Sequence, residues 1–420
     1  MQTVDIFVFH RDLRVNDNKA WNSLIRHSDN SIIPIFIFNP KQIYAKKNSY
    51  FSNNAVQFMI ESLEDLEKNL YINYYEGNDI EILEKIKKNY KISSIAFNKD
   101  YTPFAIRRDK IIEDWCNKNG INLIIEEDYT LFQIGKIRNN NGNSYQKFTP
   151  FYKTAIQMSK AIEEPKTVSY NNNIIKTVLK YDKHKYYKKN ENIELQGGRI
   201  YGLERLKKDM TYYEKERDIP YLESTTKLSP YIKFGCISIR EVYYNYSKNT
   251  TLIKELIWRE FYANIIYEYP HVIGGSFKKK YDKIKWSNDK ANFRKWCNGE
   301  TGYPIIDAGM KQLNEIGWMH NRVRMIVATF LVKDLMIDWR WGEKYFATKL
   351  VDYDPASNNG GWQWCASTGT DSQPYFRIFN PFLQAKKYDK NNEYIKKWNP
   401  DYNNKEQIIE HSKAIKRKKP

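Results

Sequence analysis

Two architectures follow one another in this sequence: an α/β domain built on a parallel, Rossmann-like sheet over residues 1–130, and a large all-helical domain over residues 200–420. Three observations predict them. Strand-like runs (VDIFVFH from Val4, SIIPIFIFN from Ser31, NLYINYYEG from Asn69, ISSIAFN from Ile92, INLIIEE from Ile121) alternate with helix-length segments such as FSNNAVQFMIESLEDLEKNL. That alternation belongs to parallel strands joined by crossover helices. After Gly197 the apolar residues take helical spacing, as at Met310, Leu313, Met319, Val323, Val327, Phe330 and Leu331. Eight of the eleven tryptophans also fall between Trp258 and Trp364, so the second domain concentrates the large rings. Between the two, residues 131–199 are rich in Asn, Lys and Tyr (NNNGNSYQ, YNNNIIK, KYYKKNENIE) and read as an irregular interdomain linker laid over the surface.

A parallel sheet takes ligands at the carboxyl ends of its strands. No G-x-G-x-x-G follows the first strand and no Walker A pattern is present, so neither a dinucleotide nor a P-loop signature marks that end. The charge is lopsided, with 68 Lys+Arg against 50 Asp+Glu, a net +18. A pI near 9.3 favours a polyanionic partner, nucleic acid before an anionic membrane surface, although compositional Lys enrichment on a solvated face accounts for part of it. Cys116, Cys236, Cys297 and Cys365 form no C-x-x-C pair and the six histidines no ligand cluster, which argues against zinc and against a disulfide scaffold. No apolar run has the length of a membrane span, and MQTVDIFVFHRDLR is not a signal peptide. The expectation is a soluble intracellular monomer that does not contact membrane.

Candidate chemistry gathers in the second half. In KELIWREFYANIIYEYP, Glu255, Trp258, Arg259 and Tyr262 stand at i, i+3, i+4 and i+7, one helical face carrying an acid, a large ring and a guanidinium. That mix suits a pocket that stacks a flat, polar-edged ligand; a structural Glu–Arg pair among aromatics is the equally weighted alternative. In GWMHNRVRM, Asn321 and Met325 share a face, Arg322 points elsewhere, and Arg324 is a partner for Asp352 or Asp354 in VDYDP. His320 could shuttle a proton, but a lone histidine is more often structural. STTKLSPYIKFG clusters Thr225, Thr226, Lys227 and Ser229 before Pro230, a phosphate cradle by chemistry. In NNGGWQWCASTGTD the glycine pair suggests a turn and the residues after it a helix. Trp362 and Trp364 would then point about 200° apart and serve two different places.

Together FHRDLRVNDN, TTKLSPYIKFG, ELIWREFY, TGYPIIDAGMKQL, GWMHNRVRMIVATFLVKDLMIDWRWGEKYF and VDYDPASNNGGWQWCASTGTDSQPYFRIFNP resemble the DNA photolyase/cryptochrome family, in particular its class I cyclobutane pyrimidine dimer photolyases. The resemblance implies one non-covalent FAD per chain in the helical domain. It also implies UV-damaged DNA, duplex or single-stranded, as substrate, and light-driven electron transfer from excited reduced FAD to a flipped-out dimer. It assigns Tyr213, Thr225, Thr226, Lys227, Leu228 and Ser229 to the cofactor's phosphates and ribitol. Asp352, Asp354 and Asn358, with Arg324 and Trp318, fall to the rest of the cofactor, Asn358 facing flavin N5. Glu255, Asn321, Met325, Trp258 and Trp364 fall to the dimer; Arg217, Arg259, Tyr262, Arg322 and Arg377 to DNA; and Trp286, Trp339 and Trp362 to an electron path from the surface. Lys227 departs from the family's usual arginine.

Three relatives compete with this reading. A (6-4) photolyase carries histidines where Asn321 and Met325 stand. Sensor cryptochromes replace Asn358 by Asp or Cys and often bear long tails. The DASH branch puts Tyr at Trp364. A structural nucleic-acid binder would explain the charge but not the motif set. FNKDYTPFAIRRD resembles the antenna segment, whose second chromophore in the family is folate, deazaflavin, flavin or none. The terminal KRKKP is a nuclear signal, a DNA-tracking tail or compositional bias.

Overall fold

The computed structural model describes residues 1–375, 377–403 and 405–416; the tail residues Arg417–Pro420 lie outside them. Five strands, β1 (Thr3–Phe9), β2 (Ser31–Phe38), β3 (Asn73–Glu76), β4 (Lys91–Asn98) and β5 (Asn122–Glu126), form one parallel sheet in the order β3-β2-β1-β4-β5. Helices cover both faces, so β1 is buried along almost its whole length, as parallel strands require. The run from Asn69 becomes strand only at Asn73. Its pairing with β2 starts at Ile35, one residue past Pro34, which has no N–H to donate.

The segment 131–199 is more ordered than its composition suggests. It contains a helix, Phe148–Met158, turns at Ser159–Ala161 and His184–Tyr186, and a parallel bridge from Ile174 to Ile32 of β2. Asn73 holds it there, donating to the Ile175 carbonyl at 2.9 Å and accepting from the Thr177 and Val178 N–H groups. Asn172 of the segment in turn donates to the Ser28 and Asn30 carbonyls just before β2.

The FHRDLR motif joins the two domains. Gly235 adopts φ +64°, and a Cβ there would lie 2.4 Å from the Arg11 carbonyl oxygen, so only glycine lets these backbones touch. Arg14 donates to Asp128 at 2.5 Å and Arg240 to the same carboxylate at 2.6 Å, all three buried. The helical domain has its own apolar core around Trp296, Trp339, Trp362 and the helix Pro304–Ile316. Among the described residues no helix is long and apolar enough to cross a membrane.

Candidate functional site

The helix Pro355–Ala366 is the centre of the site, and the NNGG stretch lies inside it rather than in a turn. Packing overrides glycine's helix aversion here. A Cβ at Gly360 would fall 2.1 Å from Cδ1 of Tyr262, so this glycine lets the helix Thr250–Glu268 pack closely. Gly361 is different: nothing lies within 4 Å of where its Cβ would be. Asn358, Gly361 and Trp364 succeed one another at i, i+3 and i+6, so the unobstructed position lies on the helix face that carries an amide and a half-buried indole.

The two tryptophans diverge as their spacing predicts. Trp362 is 2 % exposed and points inward; a Cβ at Gly342 would fall 2.1 Å from its ring, and Phe346 and Trp296 lie 5.0 and 6.1 Å away by centroid. Trp339 in the same core is fully buried, with no partner for its Nε1, and Trp286 sits half-buried at the edge of that core. Trp364, by contrast, is partly exposed beside the core together with Met325 and Tyr353.

Asp352 and Asp354 divide their work. Asp352 accepts from Ser229 Oγ at 2.6 Å and Arg324 Nη2 at 2.9 Å, and Arg324 Nε also donates to the Met319 carbonyl. Asp354 caps the helix, accepting from the Ala356 and Ser357 N–H groups, and takes Arg11 and Tyr101 at 3.1 Å. Burial alone would push its carboxyl up, but Arg11 and Arg259 outweigh that and hold it below its ordinary value. Arg324 therefore belongs to Asp352, and Asp354 is engaged by the α/β domain. Asn358 donates through Nδ2 to the Glu343 carbonyl at 3.0 Å. Burial pushes the Glu343 carboxyl up to about 7, partly countered by hydrogen bonds from Tyr50 and Asn358.

In the cradle segment Thr226 Oγ1 accepts the Leu228 N–H and Lys208 donates to the Thr225 carbonyl; Leu228 itself is buried. Lys227, strained at φ +51°, is buried against Trp318, its Nζ 4.8 Å above the ring and bonded to Glu194 and Glu223. Its ammonium is thus paired with two carboxylates in this structure. Tyr213 is half-buried nearby, its phenol pushed up to about 12 by burial and by Glu255.

On the helix Thr250–Glu268, Glu255, Trp258, Arg259 and Tyr262 are all half-buried, and Arg259 and Tyr262 have protein partners. Arg259 pairs with Glu260 at 3.2 Å, and Tyr262 lies 5.5 Å from Trp258 in the helix interface. One face of Trp258 is covered by Phe148 of the connecting segment, stacked at 3.6 Å and 5°. Glu255 accepts from Arg217 at 2.5 Å, and Arg322 donates to Asp218 at 2.7 Å. Arg377 is exposed, and Asn321 lies 3.9 Å from the Met325 sulfur. His320 is a buried helix cap, accepting the Arg322 N–H, and burial lowers it to about 4, so it stays a neutral acceptor.

A cavity of about 430 Å³ lies at the carboxyl ends of β1 and β2. Arg11, Asp100, Phe104 and Arg108 line it, with Tyr353 and Pro355 on its other side. Lys233 also faces it, lowered to about 8 by burial and by Arg11. Arg11, Phe148, Glu343 and Tyr50 were not singled out by sequence reasoning, because their roles come from residues more than a hundred positions away.

Comparison with known proteins accords with this geometry. A family model described as the FAD binding domain of DNA photolyase matches residues 252–419, and one described as DNA photolyase matches residues 6–167. The chain is 37 % identical to the deoxyribodipyrimidine photo-lyase of Buchnera aphidicola subsp. Baizongia pistaciae, over 96 % of this chain and 89 % of that protein. The Escherichia coli K12 protein of that name is 32 % identical over 95 % and 89 %. Among solved structures, an archaeal photolyase from Sulfolobus tokodaii with two FAD molecules superposes with a TM-score of 0.89 at 38 % identity, covering 98 % and 97 % of the chains. A class III photolyase from Agrobacterium tumefaciens gives 0.88 at 30 % identity, covering 95 % and 87 %.

Proposed function

The chain belongs to the DNA photolyase family and carries its FAD-binding domain, and from that premise we propose that it repairs cyclobutane pyrimidine dimers in DNA with blue light, as a deoxyribodipyrimidine photo-lyase acting as a monomer. The observation that carries this reading is the unobstructed position at Gly361, on the helix face it shares with Asn358 and Trp364. The residues around it fit a flavin. Asn358 has its Nδ2 satisfied by Glu343 and its Oδ1 without a hydrogen bond among the described residues, leaving an acceptor for a ring N–H. Thr225, Thr226 and Ser229 offer hydroxyls, while Asp352 is fixed by Arg324.

When bound, reduced FAD excited by light supplies the electron that splits the cyclobutane ring and recovers it afterwards. The chain's own residues do the rest. Trp258, backed by Phe148, and Trp364 stack the dimer; base–aromatic stacking is worth about 1–3 kcal/mol per base. Glu255 with Asn321 hydrogen-bonds the pyrimidine edges, and preorganised contacts to developing charge are worth roughly 3 kcal/mol. Met325 fills the side of the pocket, and Arg217, Arg322 and Arg377 take phosphates. Trp286, Trp339 and Trp362 carry an electron inward from the surface. Lys227 orders the cofactor loop through its carboxylates.

We assign residues 200–420 to cofactor and DNA, and residues 1–130 to a second, antenna chromophore in the 430 Å³ cavity. The cationic lining there matches a phosphate-bearing flavin among the family's antennas. The experiment is repair of oligonucleotides with defined lesions under blue light, with cofactor content measured on denaturation. Restoration of cyclobutane dimers is expected; repair confined to (6-4) lesions, or a folded protein that binds no FAD, overturns the reading.

A further inference from the structure

The turn from Ser367 to Asp371, which follows the two tryptophans, has no task in the proposed function, yet its backbone is closely specified. Ser367 ends the helix Pro355–Ala366 at φ +62°, the Thr368 and Gly369 N–H groups return to the Gln363 carbonyl, and Asp371 takes φ +45°. Left-handed geometry at non-glycine residues persists only where surrounding contacts over-determine it. Here those contacts are with the connecting segment, 224 and 223 positions away in the chain. Thr370 Oγ1 donates to the Gln146 carbonyl at 2.5 Å, and Asp371 Oδ2 accepts the Phe148 N–H at 3.0 Å.

The helix Phe148–Met158 has no side-chain cap of its own, because Lys147 stands at the capping position and makes no such bond. Asp371 supplies from outside the acceptor that its first N–H needs, and the helix dipole favours a carboxylate there. Phe148 is therefore held at its backbone by Asp371, at one ring face by Trp258 at 3.6 Å, and edge-on by the fully buried Phe261 at 5.9 Å. The two rings proposed to hold the dimer stand on different helices. Those helices meet at Gly360 and Tyr262, where a Cβ would lie 2.1 Å from the phenol ring. The turn ties them a second time, through Phe148. Two ties fix a separation that a single contact leaves free to pivot.

We propose that Thr370 and Asp371 are positioning residues that set the gap between Trp258 and Trp364, and with it the preference for a cyclobutane dimer over undamaged DNA. The inference rests on the reading of those two rings as the walls that stack the lesion. Dispersion between flat groups is short-ranged: a gap wider by about 0.5–1 Å forfeits about a quarter to a half of it. Contacts from arginines to phosphate position DNA without reading it and tolerate the same shift, so a loosened slot loses selectivity first. Trp362 is held by a different set of contacts, with Trp296, Phe346 and Gly342. The electron path should therefore be indifferent to the turn.

The test uses the FAD-loaded protein carrying Asp371→Ala or Thr370→Val, with Asp371→Asn and Thr370→Ser as conservative counterparts that keep an acceptor and a hydroxyl. Thr370→Val preserves side-chain shape and serves where Asp371→Ala does not fold. Three quantities are read: dark affinity for an oligonucleotide holding one thymine dimer, dark affinity for the same oligonucleotide undamaged, and the rate of flavin photoreduction. Asp371→Ala and Thr370→Val should weaken dimer binding roughly 3- to 10-fold, with affinity for undamaged DNA and photoreduction at the wild-type level. The conservative variants should recover most of the loss. Wild-type dimer affinity in Asp371→Ala, or in Thr370→Val where the former does not fold, overturns the clamp while leaving the function standing. So does a parallel loss of dimer binding and photoreduction, which would mark a general loosening of the helix. A wild-type protein with no preference for dimer DNA overturns the function, and the clamp with it.

Discussion

Gly361→Ala tests the placement of the site with opposite signs for stability and function. A methyl here meets no atom within 4 Å, so the fold has no reason to resist it. Replacing a helical glycine by alanine is worth about 0.5–1 kcal/mol, and protein stripped of FAD should gain roughly that much. The same methyl enters the space between Asn358 and Trp364 that flavin and dimer are proposed to fill. Overpacking a fitted contact costs typically 1–3 kcal/mol, or about 5- to 150-fold in affinity. Gly360→Ala is the control one residue away, where the new Cβ would lie 2.1 Å from Tyr262 and stability itself should drop. Urea unfolding of stripped protein, FAD titration by fluorescence and dimer-oligonucleotide binding read the three quantities. A Gly361→Ala protein that binds FAD and dimer as tightly as wild type would refute the assignment of this helix face.

Trp362→Phe should slow blue-light reduction of bound FAD while leaving dimer affinity intact, and Trp364→Ala should weaken dimer binding by about 1–3 kcal/mol while leaving photoreduction intact; absorbance under illumination and a binding titration separate them. Glu343 is raised from 4.5 to about 7 by burial. As a group raised on folding, it contributes stability that is present below 4.5 and lost as pH rises through 7, roughly 3 kcal/mol in all. Glu343→Gln should therefore flatten the fall in unfolding free energy between pH 5 and 8; an unchanged slope would place the titration elsewhere. Dark binding of duplex DNA should show a log–log salt slope that Arg377→Ala makes shallower by about 0.9, the effect of one phosphate contact, and an unaltered slope would remove Arg377 from the DNA face.

The alternating runs announced the parallel sheet because strands buried on both faces must be apolar throughout. The dense chemistry of the second domain was equally legible, since helical spacing alone places Glu255 with Trp258 and separates Trp362 from Trp364. What spacing cannot show is which side of a helix another element will cover. Arg259 and Tyr262 lie on the expected face by count, and only tertiary packing shows that Arg259 pairs with Glu260 and Tyr262 meets Gly360. Phe148 sits in a stretch whose composition reads as linker, and only tertiary packing brings it onto Trp258. Composition reports how much apolar surface a segment owns, not where one ring lands.

The glycine pair shows the limit of local reading most clearly. Gly-Gly in isolation favours a turn, because glycine loses the most backbone entropy in a helix. Here the helix is held from outside. Asp354 caps its first turn while anchored to Arg11 of the other domain, and Gln363 donates to the Val272 and Gly275 carbonyls and accepts the Phe277 N–H. With both ends pinned, the helix can afford two residues without side chains and uses them differently, Gly360 for contact with Tyr262 and Gly361 for room. The glutamine between the two tryptophans is then the fixed point about which they diverge. One indole is set into the core beside Trp296 and Phe346, the other at the edge of the open space. Moving that glutamine's anchor would misplace both rings at once, so Gln363→Ala should impair photoreduction and dimer binding together, where either tryptophan substitution impairs one.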